Sequence, residues 1–430
     1  MVKKYHLIVF GCQMNVSDAE RVAGVVENLG YKKTDKMAEA SLILVVMCSI
    51  RQSAVDRIHG LVDKFETIRK NNRKLKTILT GCILKKDKKI FVEGFDYLLD
   101  IGDIKRIPKL LKLKNSTTDG SMVPNKRDSY LDIAPKSFSN FSANVPIMTG
   151  CNNFCSYCVV PYVREREVSR PVEDIIREVK KAVNPPAGGG AKEIWLLGQN
   201  VNSYKPSFPK LLKEIDNISG EFWIRFTSSH PKDFSDELIR AMAKCKKVTP
   251  YLNLPVQSGD DKVLRAMKRW YTIKDYKNKI KKLRKAIPGI ALSTDIILGF
   301  PGETKQQFNN TVKLFKEIKY DLAYINKYSP RAGTAAAKLK DNVSVEEKKR
   351  RERVLTEVLK QTALVRSKKL LGEKTTVLIN EKKSDIYFGK NEHYKTVKVV
   401  SSKDIVGQLV KVKITSVAPF TLTGEIIARK

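Results

Sequence analysis

Just after Gly150 the chain places three cysteines at CxxxCxxC spacing, Cys151, Cys155 and Cys158. No other stretch constrains the chain as tightly. Thiolates are the usual ligands of [4Fe–4S] clusters, and three at this spacing can reach three irons of one cluster. The fourth iron takes no ligand from the motif and stays open to a small molecule. Zinc ribbons pair a CxxC with a second CxxC or an HxxxH, and neither follows here. A disulfide would leave one of the three cysteines unpaired.

The bulk properties narrow the setting. A chain of 430 residues has room for about three domains. No run of about 18 apolar residues is present, so no membrane span is expected. The N-terminus lacks the apolar region and cleavage site of a signal peptide. A cytoplasmic location follows as the expectation, and it keeps thiols reduced for metal ligation. The formal charge of +35 would draw phosphate backbones in a salt-dependent way. A genome bias toward lysine is the alternative, because Lys is scattered over the whole chain. A P-loop enzyme is excluded, since Gly188-Gly189-Gly190-Ala191-Lys192 lacks Walker spacing.

The first segment, 1–113, alternates strand-like runs (Tyr5–Phe10, Leu42–Val46, Thr77–Thr80) with helical stretches over Ser17–Asn28 and Arg57–Ile68. Alternation of this kind predicts a parallel α/β sheet. Each strand leads into a cysteine: Cys12, Cys48 and Cys82. Ligands of open α/β sheets bind beyond the carboxyl ends of strands, so the three could converge as a second metal site. Buried cysteines acting as small hydrophobes are the alternative. Residues 114–142 are polar, rich in turn formers and read as a linker.

The second segment, 143–368, repeats strand–helix units. Strands are expected at Val145–Met148, Ile194–Leu197, Trp223–Phe226, Tyr251–Leu254, Leu292–Leu298 and Leu322–Ile325. This predicts a full or partial (β/α) barrel, whose site lies at the carboxyl ends of its strands. Polar groups cluster at those ends: Gln199 and Asn200, Ser228 and His230, Gln257, and the Gly299–Glu303 turn. Thr304 with Gln307, and Ser344 with Glu347, have capping-box spacing; the second opens a bridging helix. His230, followed by Pro231, is either catalytic or a loop-orienting residue. The last segment, 369–430, turns to β-branched runs at Thr375–Ile379, Thr396–Val400, Leu409–Ile414 and Leu422–Ile427. They predict a small antiparallel β-barrel, of a kind that often binds nucleic acid. Lys382, Lys383, Lys390, Lys395 and Lys398 make its middle basic, and a structural cap is the bland alternative.

The CxxxCxxC motif strongly resembles that of radical S-adenosylmethionine (SAM) enzymes. With the order of the three segments, the chain resembles the radical SAM methylthiotransferases: a UPF0004-type N-terminal α/β domain, a partial (β/α) radical SAM barrel and a C-terminal TRAM β-barrel. Leu196–Tyr204, Arg225–Pro231 and Leu254–Asp260 look most like the MiaB-type branch, whose members act on tRNA next to the anticodon. Gly299–Thr304 and Tyr328–Thr334 are shared across the wider family.

The resemblance implies two [4Fe–4S] clusters, one on Cys151, Cys155 and Cys158 and one on Cys12, Cys48 and Cys82. It implies SAM on the first, with Gln199, Asn200, Ser228, Gln257 and Asp295 as candidate contacts. The implied activity is insertion of a methylthio group at carbon 2 of N6-isopentenyladenosine in the tRNA anticodon stem-loop. One SAM would donate a methyl group to sulfur and a second would yield the 5′-deoxyadenosyl radical. A flavodoxin or ferredoxin would supply electrons. Rival readings are methylthiolation of N6-threonylcarbamoyladenosine or of a ribosomal-protein aspartate, and a non-catalytic iron–sulfur RNA-binding protein. The family usually has Asn-Thr where this chain has Val46-Met47, and Gly where it has Glu165. Cys245 matches no ligand and reads as core.

Overall fold

Short apolar, β-branched runs alternating with helices build the N-terminal part of the protein, seen in a computed structural model that describes residues 3–50, 52–112, 130–186 and 188–427. The chain divides into two units. The first holds Met1–Phe138, Thr149–Cys151 and Val159–Arg170, and the second holds Ser139–Met148, Asn152–Cys158 and Pro171–Lys430.

In the first unit, strands β1 (Lys4–Val9), β2 (Lys32–Lys33), β3 (Leu42–Cys48), β4 (Lys76–Cys82) and β5 (Tyr97–Leu98) form one sheet in the order β2-β1-β3-β4-β5. All its pairings are parallel. Every residue of β3 is buried, as expected for a central strand covered on both faces. Helices α1 (Gln13–Glu27), α2 (Gln52–Asn71), α3 (Lys85–Phe91) and α4 (Ile107–Lys112) complete the alternation. Ile43, Val45, Leu79, Ile58 and Phe65 are central to the core on one side.

Two details differ from the sequence reading. The helix expected from Ser17 begins at Gln13, because the Asn15 side chain accepts the Cys12 N–H (3.2 Å) and starts the first turn there. The stretch 114–142 was expected as a linker. Its residues 114–129 lie outside the described residues, but Tyr130–Phe138 belongs to the first unit. The Tyr130 hydroxyl donates to Asp18 (3.0 Å), and the Lys136 and Phe138 N–H groups bond the Glu20 carbonyl and carboxylate (2.8 and 3.0 Å). Helix α1 buries Asn15, Asp18, Glu20 and Arg21. Buried polar groups need partners, and this returning segment supplies several.

Short strands β7 (Met148–Thr149) and β8 (Val168–Ser169) and the one-turn helix α5 (Val160–Val163) flank the cysteine motif in sequence. In the second unit, β6 (Ser142–Pro146), β9 (Glu193–Leu197) and β10 (Trp223–Phe226) form a parallel sheet in the order β10-β9-β6. Strands β11 (Tyr251–Asn253), β12 (Ala291–Leu298) and β13 (Leu322–Lys327) form another, in the order β11-β12-β13. All six expected barrel strands are present. A single parallel bridge, Ile224 to Val248, continues the pairing beyond β10. Helices α6 (Val172–Val183), α7 (Phe208–Asp216), α8 (Asp236–Lys244), α9 (Asp261–Ala266), α10 (Ile273–Ala286) and α11 (Lys305–Ile318) lie between strands or follow them. One core contains Ile175, Val179, Leu196, Leu252, Leu292, Phe315 and Cys245. Cys245 is therefore a core residue, and burial pushes its thiol up to about 11.

The Thr304 and Gln307 side chains cap α11 reciprocally (3.2 and 2.8 Å). On α12 (Val345–Lys368) the Ser344 hydroxyl takes the Glu347 N–H, but the Glu347 carboxylate turns to Arg350 and Arg351. That box is half formed, because two guanidinium partners outcompete one backbone N–H.

The last five strands, β14 (Lys374–Lys383), β15 (Ile386–Asn391), β16 (Thr396–Val400), β17 (Leu409–Val417) and β18 (Thr421–Ile426), close into a barrel in the order β14-β15-β16-β18-β17. The β16–β18 pair is parallel and the others antiparallel. Strand β15 was not anticipated. Its Gly389 breaks the β-branched pattern, yet a Cβ there would stand 2.4 Å from the Leu378 carbonyl oxygen. The barrel is bolted to the strands of its own unit by Arg225, which is 1% exposed. Arg225 pairs with Glu193 (2.5 Å) and donates to the carbonyls of Asn391 (2.7 Å) and Glu392 (3.1 Å). Among the described residues no helix is long and apolar enough to cross a membrane.

Candidate metal and cofactor sites

In the first unit the register sets Val9 opposite Val46 and Cys48 opposite Cys82, so β1, β3 and β4 end side by side. Cys48 and Cys82 are the last residues of their strands, and Cys12 caps α1 just beyond β1. Gly81 has φ +112°, and a Cβ there would lie 2.3 Å from the Met47 carbonyl oxygen. Only glycine lets the two strand ends run so close. The three sulfurs share a small network. The Cys12 thiol donates to the Asn15 side-chain Oδ1 (3.4 Å), and the Asn15 Nδ2 reaches the Cys82 sulfur (3.8 Å) and the Met47 carbonyl (3.2 Å).

Arg164 adds the strongest contact: its Nε donates to the Cys82 sulfur at 2.9 Å. The Cys48 thiol also hydrogen-bonds Cys82. That bond first, then Arg164, holds the Cys82 thiol below its ordinary range against the opposing effect of burial. The same bond, with burial, pushes Cys48 up. Thiolate is the form that ligates metal. Among the described residues no three Cys, His, Asp or Glu side chains close on a point that would hold one metal ion. A [4Fe–4S] cluster does not ask for that, since each thiolate takes a different iron. Three cysteines at aligned strand ends, one predisposed to ionise, fit such a group.

The CxxxCxxC loop is held by its backbone. The Cys151 N–H bonds the Glu165 carbonyl (3.3 Å). In the second unit the Cys158 N–H bonds the Cys155 carbonyl (3.0 Å), and Ser156 is fixed three ways, to the Met267, Ala266 and Ala336 backbones (3.0, 2.8 and 2.8 Å). Buried Arg269 lies behind the loop. It reaches the Cys155 sulfur (3.9 Å), the Tyr157 hydroxyl (3.4 Å), the Pro255 carbonyl (2.5 Å) and the Tyr271 hydroxyl (2.7 Å). No disulfide engages any of the seven cysteines.

Beyond the carboxyl ends of β9 and β10 lie buried polar atoms with no hydrogen-bond partner among the described residues: Gln199 Oε1, Asn200 Oδ1, Asn202 Nδ2, Ser229 Oγ and His230 Nε2. Buried polar atoms are nearly always paired, so five orphans here fit a polar ligand such as SAM. Of the candidate contacts, Gln199 and Asn200 supply two of these atoms. Ser228 and Gln257 hold the left-handed backbone region, at φ +63° and +70°, and strain of this kind gathers at functional sites. The Gln257 N–H bonds the Asp295 carbonyl (2.8 Å), and the Asp295 carboxylate accepts from Asn253 (3.1 Å). Glu303 is committed to structure, bonding the Gly299 N–H (2.7 Å) and Arg351 (2.7 Å).

His230 orients its loop. Its Nδ1 accepts the Lys232 N–H (3.2 Å), and burial first, then Arg269 and Lys232, hold its pKa down to about 2. A histidine that stays neutral cannot donate a proton from an imidazolium. The sequence reading missed Arg164, Arg269 and Asn15. The one local signal for Arg164 is its place as a cation directly after the apolar turn Val160–Val163.

The Radical SAM superfamily matches residues 145–315, Uncharacterized protein family UPF0004 matches 4–99, and the TRAM domain matches 368–427. The tRNA-2-methylthio-N(6)-dimethylallyladenosine synthase of Dictyoglomus thermophilum is 39% identical, over 99% of this chain and 98% of its own length. The synthase of the same name from Carboxydothermus hydrogenoformans is 38% identical, over 99% of both. Among solved structures, the apo form of the cobalamin-dependent S-adenosylmethionine radical enzyme OxsB superposes with a TM-score of 0.55 at 11% identity, covering 84% of this chain and 56% of that one. That similarity is one of fold.

Proposed function

The chain belongs to the tRNA-2-methylthio-N(6)-dimethylallyladenosine synthase family of radical SAM enzymes, and from that premise we propose that it inserts a methylthio group at carbon 2 of N6-isopentenyladenosine next to the tRNA anticodon. The observation that carries this is identity of 38–39% over essentially the whole length of several synthases. A [4Fe–4S] cluster with SAM supplies, when bound, a radical able to take hydrogen from an unactivated C–H bond.

The chain's own residues do the rest. Cys151, Cys155 and Cys158 would hold the radical cluster, and Arg269 steadies Cys155 from behind. Gln199, Asn200 and Ser228, with Gln257 beyond β11 and Asp295 on β12, would seat SAM. Cys12, Cys48 and Cys82 would hold a second cluster, with Asn15 and Arg164 fixing the sulfurs. The target base must leave its stack to be reached. Phosphate contacts from a chain of charge +35 would hold the RNA while that happens. A flavodoxin or ferredoxin in the cytoplasm would deliver the electrons.

The test offers reconstituted enzyme two tRNAs, one carrying isopentenyladenosine and one threonylcarbamoyladenosine, with SAM, reductant and a sulfur source. Nucleoside mass spectrometry should find the methylthio product only from the first. Product from the second alone would place the enzyme in another branch of the family. Product from neither, with SAM still cleaved, would direct attention to a protein substrate.

A further inference from the structure

Arg164 is buried in the first unit, its side chain 2% exposed. It lies six positions after Cys158 in the sequence, directly beyond α5. Its three nitrogens are all directed. Nε donates to the Cys82 sulfur (2.9 Å), Nη1 to the Tyr130 hydroxyl (3.0 Å), and Nη2 pairs with the Asp18 carboxylate. Tyr130 donates in turn to Asp18 (3.0 Å), and the Asp18 side chain is fully buried. A guanidinium is a planar fork whose donors cannot be redirected independently. With two nitrogens fixed by Asp18 and Tyr130, the third has one place to point, and a cysteine sulfur at aligned strand ends occupies it.

A purely structural reading accounts for the Asp18 pair alone. It does not account for a charge-assisted donor set on one of the three sulfurs. Nor is Arg164 part of the CxxxCxxC motif, the SAM contacts or the N-terminal cysteines. We propose that Arg164 is a positioning residue for the second cluster: it fixes the Cys82 sulfur and, through the hydrogen bond and its positive charge, raises that cluster's reduction potential. Cluster potentials respond to net charge and to hydrogen bonds on the ligand sulfurs. A donor stabilises the extra negative charge of the reduced state, so its removal shifts the potential to more negative values. Asp18 and Tyr130 hold the donor in place and leave the sulfur untouched.

The inference rests on Cys12, Cys48 and Cys82 holding a cluster, and the experiment separates the two ideas. The full chain carrying Cys151→Ala, Cys155→Ala and Cys158→Ala is reconstituted, and its iron is measured. Absence of iron there overturns the second cluster itself. With iron present, the potential is read by EPR-monitored redox titration in that background and in two further variants. Arg164→Met with Asp18→Asn removes the donor while leaving the local net charge as it was. Arg164→Gln removes the charge and keeps an amide for Asp18. Both should titrate at more negative potential than their parent. The shift in the iron–cysteine stretching bands on transfer to D2O, visible by resonance Raman in the parent, should shrink in the Met/Asn variant. An unchanged potential in either variant that loads a cluster overturns the assignment. Failure of both to hold iron, with circular dichroism unchanged, is the other result expected of a residue that sets Cys82. Loss of the fold in both makes Arg164 structural and overturns the proposal.

Discussion

Glu165 holds a left-handed backbone, at φ +62°, where a side chain costs roughly 1–2 kcal/mol relative to the right-handed region. The family's usual glycine at this place is the residue that bears such a φ without strain. The turn is also crowded: a Cβ on Gly150 would stand 2.1 Å from the Arg166 carbonyl oxygen. Replacing Glu165 with Gly should therefore stabilise the protein by about 0.5–1 kcal/mol, once the greater freedom of glycine in the unfolded chain is set against the relieved strain. Thermal melts read the effect. Glu165→Ala, which keeps a Cβ, should show no comparable gain, and equal melting points for Gly and Glu would refute the strain argument. His230 gives a pH effect whose sign follows from burial. Its folded-state pKa is depressed to about 2 from 6.5, so below pH 6.5 the unfolded chain binds a proton that the folded one refuses. Stability then falls as pH drops from 6.5, by up to about 1.4 kcal/mol per pH unit from this group alone. His230→Gln, which can still accept the Lys232 N–H, should flatten the acid limb of the stability curve measured by urea melts between pH 7 and 4. Parallel curves for the two proteins would mean that His230 is protonated in the fold.

Among the elements, the C-terminal barrel shows how a basic strand pair divides between structure and surface. Lys395 forms an ion pair with Asp321 (2.9 Å) at 9% side-chain exposure, and Lys390 bonds Thr396 (2.7 Å) while lying over Tyr394. Lys382 and Lys383 stand exposed on β14, each over an aromatic ring of β15. RNA affinity should respond to that second pair. Lys382→Ala with Lys383→Ala is expected to weaken tRNA binding and to lower the slope of log affinity against log salt by about 1 per lysine. Lys395→Ala should instead destabilise the protein, on the order of 2 kcal/mol, since Arg366 still faces Asp321 at 3.4 Å. An unchanged salt slope in the double variant would leave the barrel as a cap. Ending the chain near Lys369 is a poorer test, because it also strips Arg225 of the Asn391 and Glu392 carbonyls. Legibility followed the same division between pattern and partner. The six barrel strands were readable because continuous apolar runs recur between helices. Strand β15 was not, because Gly389 meets its neighbour through backbone closeness rather than a side chain. The start of α1 was hidden because Asn15, which opens its first turn on Cys12, finds its other partners at Met47 and Cys82, and contacts over more than thirty residues leave no local signal.

At the scale of the whole molecule, two groups of three cysteines lie in different surroundings. Cys48 and Cys82 end parallel strands of the first unit, beside Asn15 and Arg164. Cys155 and Cys158 sit in a loop of the second, where Arg269 reaches the Cys155 sulfur. The six cysteines were visible in the sequence; the arginine that reaches a sulfur in each group was not, because both are distant in sequence from the cysteine they touch. Different surroundings argue for separable tasks. Cys155→Ala removes a ligand from the motif that leaves an iron open, so reductive SAM cleavage should stop and no 5′-deoxyadenosine should form. Cys82→Ala removes the one N-terminal thiol held toward its ionised form and gripped by Arg164, so the second cluster proposed here should be lost. SAM cleavage should persist there at a reduced rate while methylthio product vanishes. Reconstituted wild type should hold about eight irons and each variant about four. The readouts are iron content, 5′-deoxyadenosine by liquid chromatography and methylthio nucleoside by mass spectrometry, taken on the same preparations. Full methylthiolation by Cys82→Ala would remove the N-terminal cysteines from the chemistry, and loss of 5′-deoxyadenosine in both variants would mean that the two groups act as one site.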